Sequence, residues 1–186
     1  MKRSALFAVA FGLSLAATAS AGEFAGVKMP DAITAEGKTL KLNGMGLRKK
    51  VVFKVYVAGL YVESPSKDSA AIIAADEVKR MQLSVLRGLS TSQVAEAIEE
   101  GFEKGATKGQ MAALKARLEK LRTMIPNVVE GDQIVFTYVP GKGTVVSAKG
   151  PDKGVIEGKD FADALFSVWI GPTPVQEDLK KHLLGG

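Results

Sequence analysis

The residues able to carry chemistry are few, and their types exclude more than they admit. The chain has no cysteine, which removes thiol catalysis, disulfides and a lipid anchor on a mature N-terminal cysteine. Its one histidine, His182, stands beside Lys180 and Lys181 near the C-terminus and reads as a solvated helix-end residue. A single histidine cannot build a multi-histidine metal site, and it makes a Ser-His-Asp set implausible. Glu99 and Glu100 are adjacent, so on a helix they diverge by about 100° and do not form a paired acid/base site. Lys142-Gly143-Thr144 lacks the direct Gly-Lys-Ser/Thr succession of a phosphate loop and reads as a hairpin tip. No metal and no cofactor is implied.

Two polar residues remain on an otherwise apolar stretch: Arg48, after Gly44-Met45-Gly46-Leu47, and Tyr56. Each has an ordinary explanation, Arg48 as a surface residue leading the basic run Lys49-Lys50 and Tyr56 as core. If both point into one cavity they form a carboxylate site, because a guanidinium fork accepts two oxygens and a phenol adds a further donor.

The elements that would position them follow from periodicity. Leu40-Lys41-Leu42 alternates as a short strand, and Asn43-Gly44-Met45-Gly46 reads as tight or left-handed backbone. Val51 to Val62 is apolar on both faces, so it is expected to be a central strand covered on both sides. Val51, Phe53, Val55, Val57 and Tyr61 fall on one face; Val52, Tyr56, Ala58, Leu60 and Val62 fall on the other.

Asp68 is placed to cap a short helix through Ala75, and Val78 to Leu86 alternates as a half-buried strand. Ser90 with Gln93 forms a capping-box pattern before Val94, Ala97, Ile98, Gly101 and Phe102, which repeat at helical spacing until Gly105. Met111, Leu114, Leu118, Leu121 and Ile125 continue that rhythm to Pro126, with Lys115, Arg117, Lys120 and Arg122 as a solvated basic face. Gln133 to Ala148 reads as a hairpin turning at Pro140-Gly141-Lys142-Gly143, followed by a turn at Gly150-Pro151-Asp152-Lys153 and a strand to Gly158. Two helices close the chain, one carrying Phe161, Ala164, Leu165, Val168 and Trp169, the other running from about Pro174 to Leu184. Strands, helices, strands and helices in that order predict α+β with an antiparallel sheet.

At the N-terminus Lys2 and Arg3 precede the apolar run Ala5–Ala17 and then Ala19-Ser20-Ala21, the pattern of an export signal cleaved after Ala21. The run is shorter than the roughly 20 residues a spanning helix takes. Residues 22–186 are then expected to form one domain in the periplasm or outside the cell, with no transmembrane segment after cleavage. Removing Lys2 and Arg3 lowers the formal charge of +5 by two, too mild a balance to imply nucleic acid.

Taken in order, Leu42-Asn43-Gly44-Met45-Gly46-Leu47-Arg48 and Phe53-Lys54-Val55-Tyr56-Val57-Ala58-Gly59-Leu60-Tyr61-Val62-Glu63 resemble the chalcone isomerase superfamily, in particular its bacterial chalcone-isomerase-like branch. Leu89 to Gly101, Phe136-Thr137-Tyr138-Val139-Pro140-Gly141, Phe161-Ala162-Asp163-Ala164-Leu165 and Ile170-Gly171-Pro172 extend the likeness over most of residues 40–184. The resemblance implies an open-faced β-sandwich, a large antiparallel sheet covered by a layer of helices. In the plant enzymes an arginine assists closure of a chalcone into a flavanone, and Arg48 matches it. The other catalytic positions depart: the threonine of the central strand is Tyr56, the helix tyrosine is Val94, the asparagine seven residues on is Gly101, and a small hydroxyl residue aligns near Val168, one position from Ser167. Each lost donor commonly costs about 10²-fold, which argues against chalcone cyclisation.

Fatty-acid-binding members of the superfamily resemble this chain in pairing arginine with tyrosine at those two positions. The resemblance therefore implies a non-catalytic protein that holds a small amphipathic carboxylate, such as a fatty acid, on Arg48 and Tyr56. Val55, Val57, Leu60, Ile98, Phe102 and Leu165 are candidate lining residues. Two alternatives stand beside it: an isomerase or lyase on another substrate, with Arg48 polarising a carbonyl or enolate and Tyr56 as donor or acid, and a ligand-free partner-binding or membrane-surface accessory using the basic helix face.

Overall fold

The computed structural model describes residues 21–105 and 108–186. A small hairpin of β1 (Ala21–Phe24) and β2 (Val27–Pro30) precedes a seven-stranded sheet. In that sheet β3 (Ala32–Ala35), β4 (Lys38–Lys50), β5 (Phe53–Val62), β6 (Lys79–Val85), β7 (Gln133–Val139), β8 (Gly143–Ala148) and β9 (Asp152–Ile156) lie side by side in chain order. Every pairing is antiparallel. Helix α1 (Ser69–Ala74) joins β5 to β6, α2 (Thr91–Gly105) and α3 (Lys108–Met124) join β6 to β7, and α4 (Lys159–Ile170) and α5 (Glu177–Leu183) follow β9. The architecture is the expected α+β one. None of the helices among the described residues is long and apolar enough to cross a membrane. Residues 1–20, which carry the predicted export signal, lie outside the described residues, and the predicted cleavage point falls at the first residue of β1.

The alternation of β5 decides how the layers are built. Ala58, Leu60 and Val62 enter the main core with Phe102, Phe136, Leu165 and Trp169, under the helices. Val57 and Tyr61 enter a second cluster on the other face with Met29, Leu40, Met45 and Leu47. Burying side chains of this size contributes about 1.5–3 kcal/mol each, so a strand apolar on both faces is held from both sides, as its pattern predicts. The predicted helix starts are also present. Gln93 N donates to Ser90 Oγ (3.2 Å) while Ser90 N donates to Gln93 Oε1 (2.9 Å), a reciprocal capping box. Asp68 Oδ1 accepts from Ala71 N at 3.1 Å at the start of α1.

Four local expectations are corrected. The Asn43-Gly44-Met45-Gly46 run is not a turn: β4 continues through it with a bulge at Asn43, and the glycines instead admit α5. A Cβ at Gly44 would overlap the His182 carbonyl oxygen, and one at Gly46 would meet Leu179 Cδ1 at 2.7 Å. Val51 and Val52 are not strand but the turn between β4 and β5, so β5 begins at Phe53. Arg117 leaves the basic face of α3, because its guanidinium forms a two-bond fork with Asp160 (2.7 and 2.6 Å) and donates to Glu157 O (3.1 Å), tying α3 to the start of α4. His182 is half-buried, its Nδ1 lying 2.6 Å from Asp178 O and its ring edge-on to Phe24.

Lys79, in the strand read as half-buried, is fully buried. Its ammonium donates to the carbonyls of Ile72, Ile73 and Ala75 (2.9, 2.8 and 2.8 Å), closing the C-terminal end of α1. Burial pulls its pKa down to about 8, which still leaves it charged at neutral pH with all three donors used.

The glycine contact yields a direct prediction. Gly44→Ala forces α5 away from β4, and overpacking of this kind costs about 1–3 kcal/mol. A thermal melt should show a drop of several degrees, whereas Gly141→Ala, at a surface turn where a Cβ meets nothing within 4 Å, loses only what its positive φ demands.

Candidate functional site

Arg48 and Tyr56 stand directly opposite one another in the β4–β5 pairing. Both face the helix layer: Tyr56 packs against the main core, and Arg48 lies two residues past Gly46, whose face α5 covers. A register shift between Arg48 and Lys49 marks a β-bulge there, with Val55 as the extra residue.

Each side chain is held by a residue that the pattern of the sequence did not single out for chemistry. Trp169 of α4 donates its indole N–H to Tyr56 Oη at 2.9 Å, so the phenolic hydrogen points elsewhere. Gln176, which precedes α5, grips β4 at three atoms: its Nε2 donates to Leu47 O (3.1 Å), and its Oε1 accepts from Lys49 N (2.9 Å) and Arg48 Nη1 (3.2 Å). Arg48 Nη1 also donates to Lys49 O at 2.6 Å, which fixes the plane of the guanidinium.

Burial raises the Tyr56 pKa, opposed by the Trp169 hydrogen bond and by the charge and hydrogen bond of Arg48. The phenol is therefore neutral at physiological pH and available as a donor. Side by side, a cation and a neutral hydroxyl have the chemistry to offer a carboxylate charge compensation from the first and a hydrogen bond from the second.

The expected lining residues divide. Leu60, Ile98, Phe102 and Leu165 share the main core with Tyr56, and all four are buried. Val57 does not join them, because strand alternation places it in the second cluster on the opposite face of the sheet. Val55 is the half-buried extra residue of the bulge rather than part of that core surface. Clefts of about 290, 380 and 230 Å³ open elsewhere among the described residues, and Arg48 and Tyr56 line none of these three. The first, between α2, α3 and α4, touches the expected set only at Phe102.

Of the positions where the resemblance would place further polar groups, Val94, Gly101 and Val168 are buried, while Ser167 is half-buried at the cleft between α2, α3 and α4. Val94 is buried in the main core. Gly101 lies against Val168, where a Cβ would meet Val168 Cγ1 at 2.7 Å, so a larger side chain at 101 would force α2 and α4 apart. Ser167 donates back to Asp163 O within α4 at 2.7 Å.

An antiparallel seven-stranded sheet under a layer of helices is the architecture of the chalcone isomerase-like fold. The sequence model of the chalcone isomerase-like family matches residues 21–185, and the chain belongs to that family. No curated protein matches the sequence. Among solved structures, the crystal structure of an Arabidopsis thaliana fatty-acid binding protein, AtFAP1, is similar with a TM-score of 0.70 at 16% identity, over 89% of this chain and 96% of that one.

The tyrosines give a pH prediction. Burial raises Tyr56, pushes Tyr61 up to about 12, and with the short Asp76 hydrogen bond raises Tyr138 as well. All three are ionised less readily folded than unfolded, so the stability they contribute is complete below the ordinary tyrosine value near 10 and is lost as pH rises beyond it. Tyrosinate absorbance should therefore stay low at pH 10 in the native protein and rise together with alkaline unfolding; independent early titration of a full tyrosine would contradict these environments.

Proposed function

We propose that this protein binds a small amphipathic carboxylate, such as a fatty acid, without chemical turnover, and that it does so after export, with residues 1–21 removed. The observation that carries the proposal is the cross-strand pair of Arg48 and Tyr56, each braced by a second residue, on the covered side of the sheet. With Nη1 held by Lys49 and Gln176 and the guanidinium also engaged with Tyr56, a carboxylate would meet the guanidinium donors that remain and the Tyr56 hydroxyl. The fold is also that of a protein named for fatty-acid binding, which supports the same ligand class. Val94, Gly101 and Val168, apolar or packed where the plant enzymes' polar groups would fall, support binding without cyclisation.

The alkyl tail is proposed to enter the helix-facing core by parting Leu60, Ile98, Phe102 and Leu165. Each buried methylene contributes about 0.8 kcal/mol, so a long chain offsets the packing it displaces while Arg48 sets its direction. The Lys2-Arg3 start, apolar run and Ala19-Ser20-Ala21 site support export.

Native mass spectrometry of the protein purified from periplasm tests both parts. A protein mass lacking residues 1–21 and carrying a lipid-sized adduct is expected. Removing one charged hydrogen-bonding partner typically costs about 1.5–3 kcal/mol, so Arg48→Ala should weaken retention about 10- to 100-fold. Trp169, the chain's single tryptophan, gives a second readout through its bond to Tyr56. Its emission should change on titration with a long-chain fatty acid, and the change should shrink in Tyr56→Phe. A protein empty in both forms, with Trp169 emission unmoved, would overturn the ligand assignment; turnover of an enone abolished by Arg48→Ala would replace it with an enzyme.

A further inference from the structure

The tip of the β4–β5 hairpin is built against the usual rules for a surface turn. Val51, Val52 and Phe53 are consecutive and 89%, 80% and 56% exposed. Val51 adopts a φ of 57°, a region where a β-branched residue is strained and where a two-residue hairpin turn normally places Asn, Asp or Gly. Lys49, Lys50 and Lys54 flank the tip, all exposed, and the Arg87 guanidinium lies 4.6 Å from the centre of the Phe53 ring. From Gly44 to Val62 the chain has no acidic residue.

A convex apolar point with a collar of cations has a specific complement. We propose that the β4–β5 hairpin tip docks this protein on an anionic lipid bilayer. Val51, Val52 and Phe53 enter the boundary between headgroups and acyl chains, and Lys49, Lys50 and Lys54 meet the lipid phosphates, their alkyl stems lying along the apolar layer. A second copy of the chain is a poorer occupant, because tip-to-tip contact brings two lysine collars together. A folded protein partner is poorer too, since three residues on a projecting turn fall far short of the roughly 800 Å² per side that a stable interface buries.

Docking does not depend on the proposed ligand, but it has a consequence that does. Tyr56 is three residues from Phe53 on the same strand, so a docked hairpin holds the Arg48–Tyr56 pair close to the lipid surface from which an amphipathic carboxylate would come.

The absence of cysteine makes the test clean. Val52→Cys carrying an environment-sensitive nitrobenzoxadiazole label is mixed with phosphatidylcholine vesicles, with or without phosphatidylglycerol. The same label at Lys142→Cys, in the exposed turn at the opposite end of the sheet, is the control. Label 52 should blue-shift and brighten on phosphatidylglycerol vesicles, lose the response as salt is raised, and stay unchanged on phosphatidylcholine alone; label 142 should remain in water throughout. A lysine near an anionic surface is worth about fivefold in partitioning, so Lys49→Gln with Lys50→Gln should weaken the response about 30-fold. The proposal is overturned if label 52 stays in water, if it responds equally to both vesicles, or if the lysine changes leave it unaltered. A response without vesicles that grows with protein concentration overturns it in favour of self-association. None of these outcomes bears on fatty-acid retention, which is read separately.

Discussion

The close seating of α5 on β4 is the contact on which the rest of the candidate site depends. Gly44 and Gly46 remove the side chains that would hold the helix off the strand, so Leu179 and Leu183 complete the main core and the carbonyls of α5 come down onto β4. Asn43 secures the same junction, its Nδ2 donating to Leu183 O (2.7 Å) and Ser66 O (3.0 Å). Once α5 is seated, its N-terminal neighbour Gln176 is delivered to the edge of β4, where it uses its side chain on Leu47, Arg48 and Lys49 rather than on capping its own helix. The orientation of Arg48 is thus a consequence of two missing Cβ atoms two and four residues before it on the same strand.

That dependence explains which features were legible in the sequence. Periodicity captured both faces of β5, the capping box at Ser90 and Gln93, and the β7–β8 hairpin, because each is a local pattern with a local cause. From the residues themselves Arg48 and Tyr56 were legible only as two polar exceptions on an apolar stretch; the family resemblance suggested them as a pair, and the register places them opposite one another. Gly44 and Gly46 were misread because a glycine required for φ and a glycine required for space look alike in a sequence; neither has a positive φ here. Trp169 was seen as one more apolar position of α4, since its polar edge matters only beside Tyr56. Gln176 carries no periodic signal at all. Val51 and Val52 were absorbed into β5 because high β-propensity does not distinguish a strand residue from an exposed one.

The three tyrosines and Lys79 each find a partner where the sheet buries them, whereas the short Ser84 and Thr144 hydroxyls are buried without one. Tyr56 takes Trp169, Tyr61 donates to Pro30 O at 3.0 Å, Tyr138 donates to Asp76 and Lys79 finds three carbonyls. Each of these four polar ends has a partner because an unmatched one would cost about 1–3 kcal/mol. Arg48 differs from these in degree: it is half-buried and only part of its donor set is held by the chain. A half-buried cation beside a neutral phenol is the arrangement that an incoming anion would complete, whereas Lys79, equally positive, is already saturated.

The β4–β5 hairpin also has to stand beyond the sheet that supports it. Strand β3 pairs with β4 no further than Lys41, and the β5–β6 ladder ends at Tyr56 and Val85, so Lys49 to Lys54 pair only with each other. Two-stranded ribbons are marginal on their own, and a valine at positive φ weakens this one further. What holds it is at its base: the Leu86 N–H reaches Val55 O at 2.9 Å across the bulge, and Gln176 binds both Leu47 O and Lys49 N on the other strand. The brace that orients Arg48 is therefore the brace that keeps the apolar tip projecting. An anion at Arg48 and a surface at Val51–Phe53 would act on one short ribbon held at its base by Leu86 on one strand and Gln176 on the other, so changes at Gln176 should reach both without touching the tip.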